Sequence, residues 1–113
     1  MKELRIALYA RVACETPQAE TVIMSQMEIL RRHATDSGMK VVEEITDVGY
    51  SGLGLDRPGL GRIRDLAERR AFEVLLVYAP DRLGRNATLV SSLVKALEQR
   101  GVKTIFAALR QNA

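Results

Sequence analysis

Apolar positions along the chain fall into four short runs of β type separated by three stretches of helical period. The first run, Leu4 to Val12, reads as a strand whose alternation sets Tyr9, Arg11 and position 13 on one face and Leu8, Ala10 and Val12 on the other. Near Pro17, or a turn later, the period changes: Ile23, Met27, Leu30 and Ala34 stand at i, i+4, i+7 and i+11, which predicts a helix closed by Gly38. A second strand over about Lys40 to Thr46 carries Val41, Val42 and Ile45, and a second helix over about Gly59 to Arg70 turns Leu60, Ile63 and Leu66 or Ala67 inward. Val74 to Tyr78 is almost wholly apolar, as a strand covered on both faces should be. Leu89, Val90, Leu93, Val94 and Leu97 predict a third helix over about Thr88 to Arg100, ended by Gly101, and Val102 to about Ala107 is the fourth strand. The stretches from Asp47 to Pro58 and from Ala79 to Asn86 read as loops, and the tail from Arg110 carries no pattern.

Strands alternating with helices through short links imply right-handed crossovers. The expected fold is a three-layer α/β domain, with a mostly parallel sheet of four or five strands and helices on both faces. At 113 residues, 47% of them hydrophobic and 27% charged, the chain has the size and balance of one globular domain. No run approaches the roughly 18 apolar residues of a membrane span. Charges at Lys2, Glu3 and Arg5 interrupt the start where a secretory leader would be apolar, so no membrane partner and a cytoplasmic setting are expected. One cysteine, Cys14, and one histidine, His33, exclude an internal disulfide and a structural zinc site. Cys14 reads as a small side chain and His33 as a solvated one on a polar helix face.

Lys and Arg total 17 against 14 acids, a net charge of +3 that suits a nucleic-acid partner without demanding one. Aromatics at 4% and the absence of Trp argue against a base-stacking platform. In such sheets ligands bind outside the carboxyl ends of the strands. After the first strand come Arg11, Ala13, Cys14 and Gln18; after the second Asp47, Ser51 and Arg57; after the third Asp81, Arg82 and Arg85. Four arginines along one rim describe a site for a phosphate or similar oxyanion. Singly each has a plainer account: Arg11 snorkelling from a strand end, Asp81 capping a helix, Gly49 to Gly54 forming a turn. The glycines lack dinucleotide spacing, and a Cys-x5-Arg phosphatase loop fails because Glu20 stands where arginine is needed.

Read together, Tyr9-Ala10-Arg11-Val12, Gln18, Val22-Ile23-Met24-Ser25-Gln26, Asp47-Val48-Gly49-Tyr50-Ser51-Gly52, Arg57-Pro58-Gly59-Leu60, Asp81-Arg82-Leu83-Gly84-Arg85 and Gly101-Val102 resemble the catalytic domain of serine recombinases, the resolvase/invertase family. The resemblance covers roughly residues 4 to 108, and the motifs are specific because all occur in order. It implies DNA cleavage by a serine hydroxyl attacking a backbone phosphodiester, giving a 5′-phosphoserine link and a free 3′-hydroxyl, with no metal and no cofactor. One ester is exchanged for another, so the reaction is near thermoneutral and reduces to positioning and charge stabilisation. Carried over, Arg11, Arg57, Arg82 and Arg85 surround the scissile phosphate. Asp81 orients an arginine or assists a proton, Asp47 holds an arginine, Tyr9 and Gln26 shape the pocket, and Ser51 belongs to the flexible loop. The implied partners are double-stranded DNA and further copies of the chain, as a dimer and tetramer in a full-length protein.

Two departures qualify this. The family pattern Tyr-x-Arg-x-Ser has Ala13 at the serine, and alanine has no nucleophilic atom, so the chain is expected not to cleave DNA. With the other site residues in place, replacement of the serine is favoured over natural loss. Cys14 falls on the opposite face by alternation and is not the expected substitute. The chain also ends before the family's long dimerisation helix and DNA-binding domain, so a catalytic domain alone, monomeric or weakly dimeric, is expected. Two rivals stand beside this reading: a magnesium-dependent nuclease or toprim-like domain using Asp47, Asp81 and Glu15, and a non-catalytic interaction module derived from a recombinase.

Overall fold

A computed structural model describes residues 3–12, 16–48, 58–84 and 86–110. The predicted positions Ala13, Cys14, Ser51, Arg57 and Arg85 lie outside the described residues. The elements are β1 (Arg5–Val12), α1 (Ala19–Asp36), β2 (Lys40–Val48), α2 (Pro58–Glu68), β3 (Val74–Val77), a 3-10 turn (Pro80–Arg82), α3 (Ala87–Gln99), β4 (Lys103–Phe106) and α4 (Ala107–Arg110). The sheet runs β2-β1-β3-β4 with every pairing parallel, the three-layer α/β fold that the periodicities predict.

Strand alternation divides the core in two. Ile6, Leu8, Ala10, Val12, Val74, Leu76 and Ile105 meet the α1 stripe of Ala19, Ile23, Met27, Leu30 and Ala34. Ala7, Tyr9, Ile45, Leu75 and Val77 meet Leu60, Ile63 and Ala67 of α2 and Val90, Leu93 and Leu97 of α3. β1 and β3 are therefore buried on both faces, which is why they read as unbroken apolar runs.

The helices end alike. After α1, Gly38 (φ 70°) donates to Thr35 O and Met39 to Ala34 O; after α3, Gly101 (φ 80°) donates to Glu98 O and Val102 to Leu97 O. These six-residue caps turn the chain straight into the next strand. After α2 the same position holds Arg70 at φ 58°, where a side chain costs about 1 kcal/mol or more. Its Nη1 donates to Arg100 O at 2.6 Å, and its own carbonyl accepts from Arg5 at 2.8 Å.

The structure sharpens four details of the sequence expectation. α1 begins at Ala19, with Pro17 and Gln18 in the preceding turn. β2 continues to Val48 because β1 offers Arg11 and Val12 as partners for Asp47 and Val48. The loop after β3 contains the Pro80–Arg82 turn, with Pro80 at the start of the turn. The last strand stops at Phe106, and 107–110, rich in helix formers, coil back so that Ala108 N donates to Tyr78 O at 2.8 Å. His33 is half-buried rather than fully solvated. Among the described residues no helix is long and apolar enough to cross a membrane.

One irregularity in β2 matters for the site. Ile6 pairs with Val41, but Ala7 pairs with Glu43, so Val42 is an extra residue and the register slips by one. Without the slip Asp47 would sit opposite Val12 and face α1; with it Asp47 sits opposite Arg11 and faces α2.

Leu8→Ala, at the centre of the sheet, should lower unfolding free energy by about 2–5 kcal/mol in urea titration, a large share of a small domain's stability. On the edge, Arg31 bonds Glu44 through Nε and Nη2, both at 2.7 Å. That hydrogen bond, with the Coulomb attraction of Arg31, holds the Glu44 carboxyl below its ordinary 4.5 despite partial desolvation. The pair's contribution is full above pH 4.5 and is lost as pH falls through the lower folded value. The stability difference between the unaltered chain and Glu44→Gln should therefore vanish on acidification.

Candidate functional site

The carboxyl ends of the parallel strands form one rim, and there the polar groups of the interior gather. Arg11, near the end of β1, is 3% exposed. Its Nε donates to Arg82 O and its Nη2 to Asp81 O, both at 2.9 Å, so the guanidinium grips two successive carbonyls of the Pro80–Arg82 turn. Arg82 Nη1 lies 3.5 Å from Arg11 O. The turn is also pinned by Leu83, fully buried among the α2 and α3 side chains.

The main chain of Arg11 is fixed separately. Leu4 O accepts from Lys40 N beside β2, whereas Arg5 O accepts from Glu73 N on the β3 side. By alternation the polar groups of Arg11 also point towards β3, but β3 ends at Val77 opposite Tyr9. Gln26 of α1 fills the gap: its Oε1 accepts from Arg11 N at 3.3 Å and its Nε2 donates to Arg11 O at 3.0 Å. A buried glutamine on an otherwise apolar stripe is thereby explained.

Asp47 is equally enclosed, at 3% exposure. Its Oδ2 accepts from Tyr9 Oη at 2.7 Å and its Oδ1 from Gly59 N at 2.9 Å. Pro58 opens α2, so Gly59 N–H is one of the donors a helix start leaves unpaired, and a carboxylate near that end also meets the favourable end of the helix dipole. Among the described residues these two donors are the partners of Asp47. Close approach explains the glycine: a Cβ at residue 59 would lie 2.5 Å from Asp47 Oδ2.

Of the predicted site residues that the structure describes, Tyr9, Arg11, Gln26, Asp47, Asp81 and Arg82 thus form two linked clusters on neighbouring strands. Arg82 is half-buried at the rim and Asp81 exposed. Asp81 is not the cap of α3; Asn86 is, its Oδ1 accepting from Thr88 N and Leu89 N at 2.9 and 3.2 Å. Sequence reasoning missed Gly59 and Leu83 as members. Proline at a helix start followed by glycine was the available signal for the first; an isolated leucine in a polar loop was the signal for the second. Among the described residues no group of three His, Cys, Asp or Glu side chains is placed to hold a metal.

Residues 6–112 match the family model described as Resolvase, N terminal domain. The chain belongs to that family. It is 33% identical over 103 residues to the transposon Tn3 resolvase of Escherichia coli, an alignment covering 91% of this chain and 50% of that protein. A Bacillus subtilis (strain 168) protein named as a DNA recombinase is 34% identical over 102 residues, covering 89% of this chain and 20% of the relative. The chain therefore spans half or less of these relatives. Among solved structures, the C-terminal catalytic domain of ISC1926 TnpA, an IS607-like serine recombinase, superposes with a TM-score of 0.83 at 34% identity, over 92% of this chain and 67% of that one. The N-terminal catalytic domain of TP901-1 integrase gives 0.81 at 32%, over 91% and 76%.

In this resolvase-family domain, Gly59→Ala should cost on the order of 1–3 kcal/mol by forcing Asp47 off its cap. Tyr9→Phe should cost about 1.5–3 kcal/mol, the worth of a hydrogen bond to a buried charge. Because both act on one carboxylate, their sum should exceed the cost of the double variant, which a double-mutant cycle in urea would measure.

Proposed function

We propose that the chain is the catalytic unit of a site-specific serine recombinase whose nucleophile position is occupied by Ala13. The carrying observation is the meeting of Arg11, Arg82, Asp81 and Asp47 at the carboxyl ends of adjoining strands, just where β1 runs towards residue 13. In this reading the substrate is a backbone phosphodiester of double-stranded DNA. A serine at 13 would attack phosphorus, form the 5′-phosphoserine ester and release the 3′-hydroxyl; reversal by another 3′-hydroxyl rejoins the strand. Arg11, Arg57, Arg82 and Arg85 are the guanidiniums assigned to the phosphoryl oxygens, where paired, permanently charged donors suit the developing charge. Asp81, exposed at the rim, is assigned to orienting an arginine or assisting a proton. Asp47 and Tyr9 support the site by holding the start of α2, next to Arg57 in sequence. Ser51 is assigned a supporting place in the loop after β2.

Alanine at residue 13 favours a second reading, that of a recombinase-derived module that binds without cutting. The two differ in what serine restores. In a chain extended by the remaining segments of a resolvase-type protein, Ala13→Ser should give a covalent protein–DNA adduct on a nicked duplex carrying a family-type site, resolved by denaturing electrophoresis. The alanine form should give none. Absence of an adduct from the serine form across family-type sites would favour the binding module.

A further inference from the structure

We infer that Arg70 is a strap: its guanidinium ties the carboxyl-terminal end of α2 to that of α3, and this tie offsets the cost of holding a side chain at positive φ. The strap lies at the end of the domain away from the rim, and it does not depend on the phosphodiester reading.

The caps of α1 and α3 use Gly38 and Gly101, which take positive φ freely, whereas α2 uses Arg70 at φ 58°, a conformation that penalises a Cβ. What the arginine brings instead is reach. Its Nη1 donates to Arg100 O at 2.6 Å, across 30 residues of sequence. Arg100 caps α3, so its carbonyl is one that the helix end leaves without an intrahelical donor, and a cation there also meets the negative end of the helix dipole. Gly101 makes room, since a Cβ on it would stand 3.1 Å from that Nη1. The near end of the strap is anchored too. Arg70 O accepts from Arg5 Nη2 at 2.8 Å, and Arg5 Nε donates to Glu73 Oε2 at 3.0 Å, which holds the end of α2 to the start of β1. Beside the strap the two helices do not close on each other: a groove of about 140 Å³ lies between them, lined by Ala67, Leu93, Ala96 and Leu97. Arg100 Nη2 also crosses it to Glu68 Oε1 at 3.3 Å, but the side chains of that pair are about half exposed or more, so the pair adds little. The bond from Arg70 is the firmer crossing.

Arg70→Gly isolates the strap, because glycine accepts φ 58° and keeps the carbonyl that Arg5 holds. Amide hydrogen exchange, followed by NMR on the unaltered chain and on this variant, gives the readout. Gly101 N and Val102 N close the cap of α3, and their exchange should speed by about 5-fold. Gly38 and Met39 at the α1 cap, and Leu8 in the sheet, should keep their rates. Glu68→Gln, which removes only the exposed ion pair, should change Gly101 and Val102 by less than about 2-fold. If Arg70→Gly leaves Gly101 and Val102 unchanged or slows them, the bond carries no load and the inference is overturned. A rise shared equally by Leu8, or an equal acceleration from Glu68→Gln, overturns it as well.

Discussion

β1 runs past the end of β3, and the polar groups left beyond Tyr9 govern how the rim is built. A central strand cannot leave buried N–H and C=O groups unpaired without a cost of about 1–3 kcal/mol each. Gln26 reaches across from α1 to Arg11 N and O, so a side chain does there what a fifth residue of β3 would do. With the backbone so held, the Arg11 side chain turns to the α2–α3 side and meets the carbonyls of Asp81 and Arg82. The short β3 is thus what opens space for the turn, and the arginine is what occupies it.

A second constraint comes from the edge. The extra residue at Val42 reverses the facing of the rest of β2, which sends Glu43 towards Arg62 of α2 and Glu44 towards Arg31 of α1. It also delivers Asp47 to the buried Tyr9 hydroxyl and to the first turn of α2. One local irregularity therefore decides whether a carboxylate caps a helix inside the domain or lies on its other face. Bulges near functional sites act in this manner, re-aiming a side chain without altering the sheet.

What could be read from sequence follows from these causes. Stripes such as Ile23, Met27, Leu30 and Ala34 declare a helix because many residues share one physical demand. The wholly apolar Val74 to Val77 declares a doubly covered strand for the same reason. The resemblance of the motifs then carried the family, and the rim location of Arg11, Asp47, Asp81 and Arg82 followed from parallel-sheet topology. Single-residue events were not legible. Val41 and Val42 look like ordinary strand residues, and nothing local says which one is extra. Gln26 differs from a surface glutamine only through the end of a strand far away in sequence. Gly59 resembles any helix-start glycine until the Asp47 carboxylate is placed against it.

The two buried charges of the site, Arg11 and Asp47, also have their partners within the protein. A guanidinium at 3% exposure without compensation would be strongly destabilising, so its partners must belong to the empty protein. Arg11 finds them in main-chain carbonyls and Asp47 in a hydroxyl and an amide, none of which depends on residue 13 or on DNA. Under the proposed function such a framework is preorganised, since its dipoles would not have to turn as charge develops on a phosphoryl group. It also separates two kinds of selection on the chain. Folding demands the buried arginine, the capping carboxylate and the glycine beside it; under the proposed function a hydroxyl at position 13 would be demanded by reaction alone. The hydrogen bonds that the structure describes in both clusters are made among residues other than 13, so an alanine there is compatible with all of them.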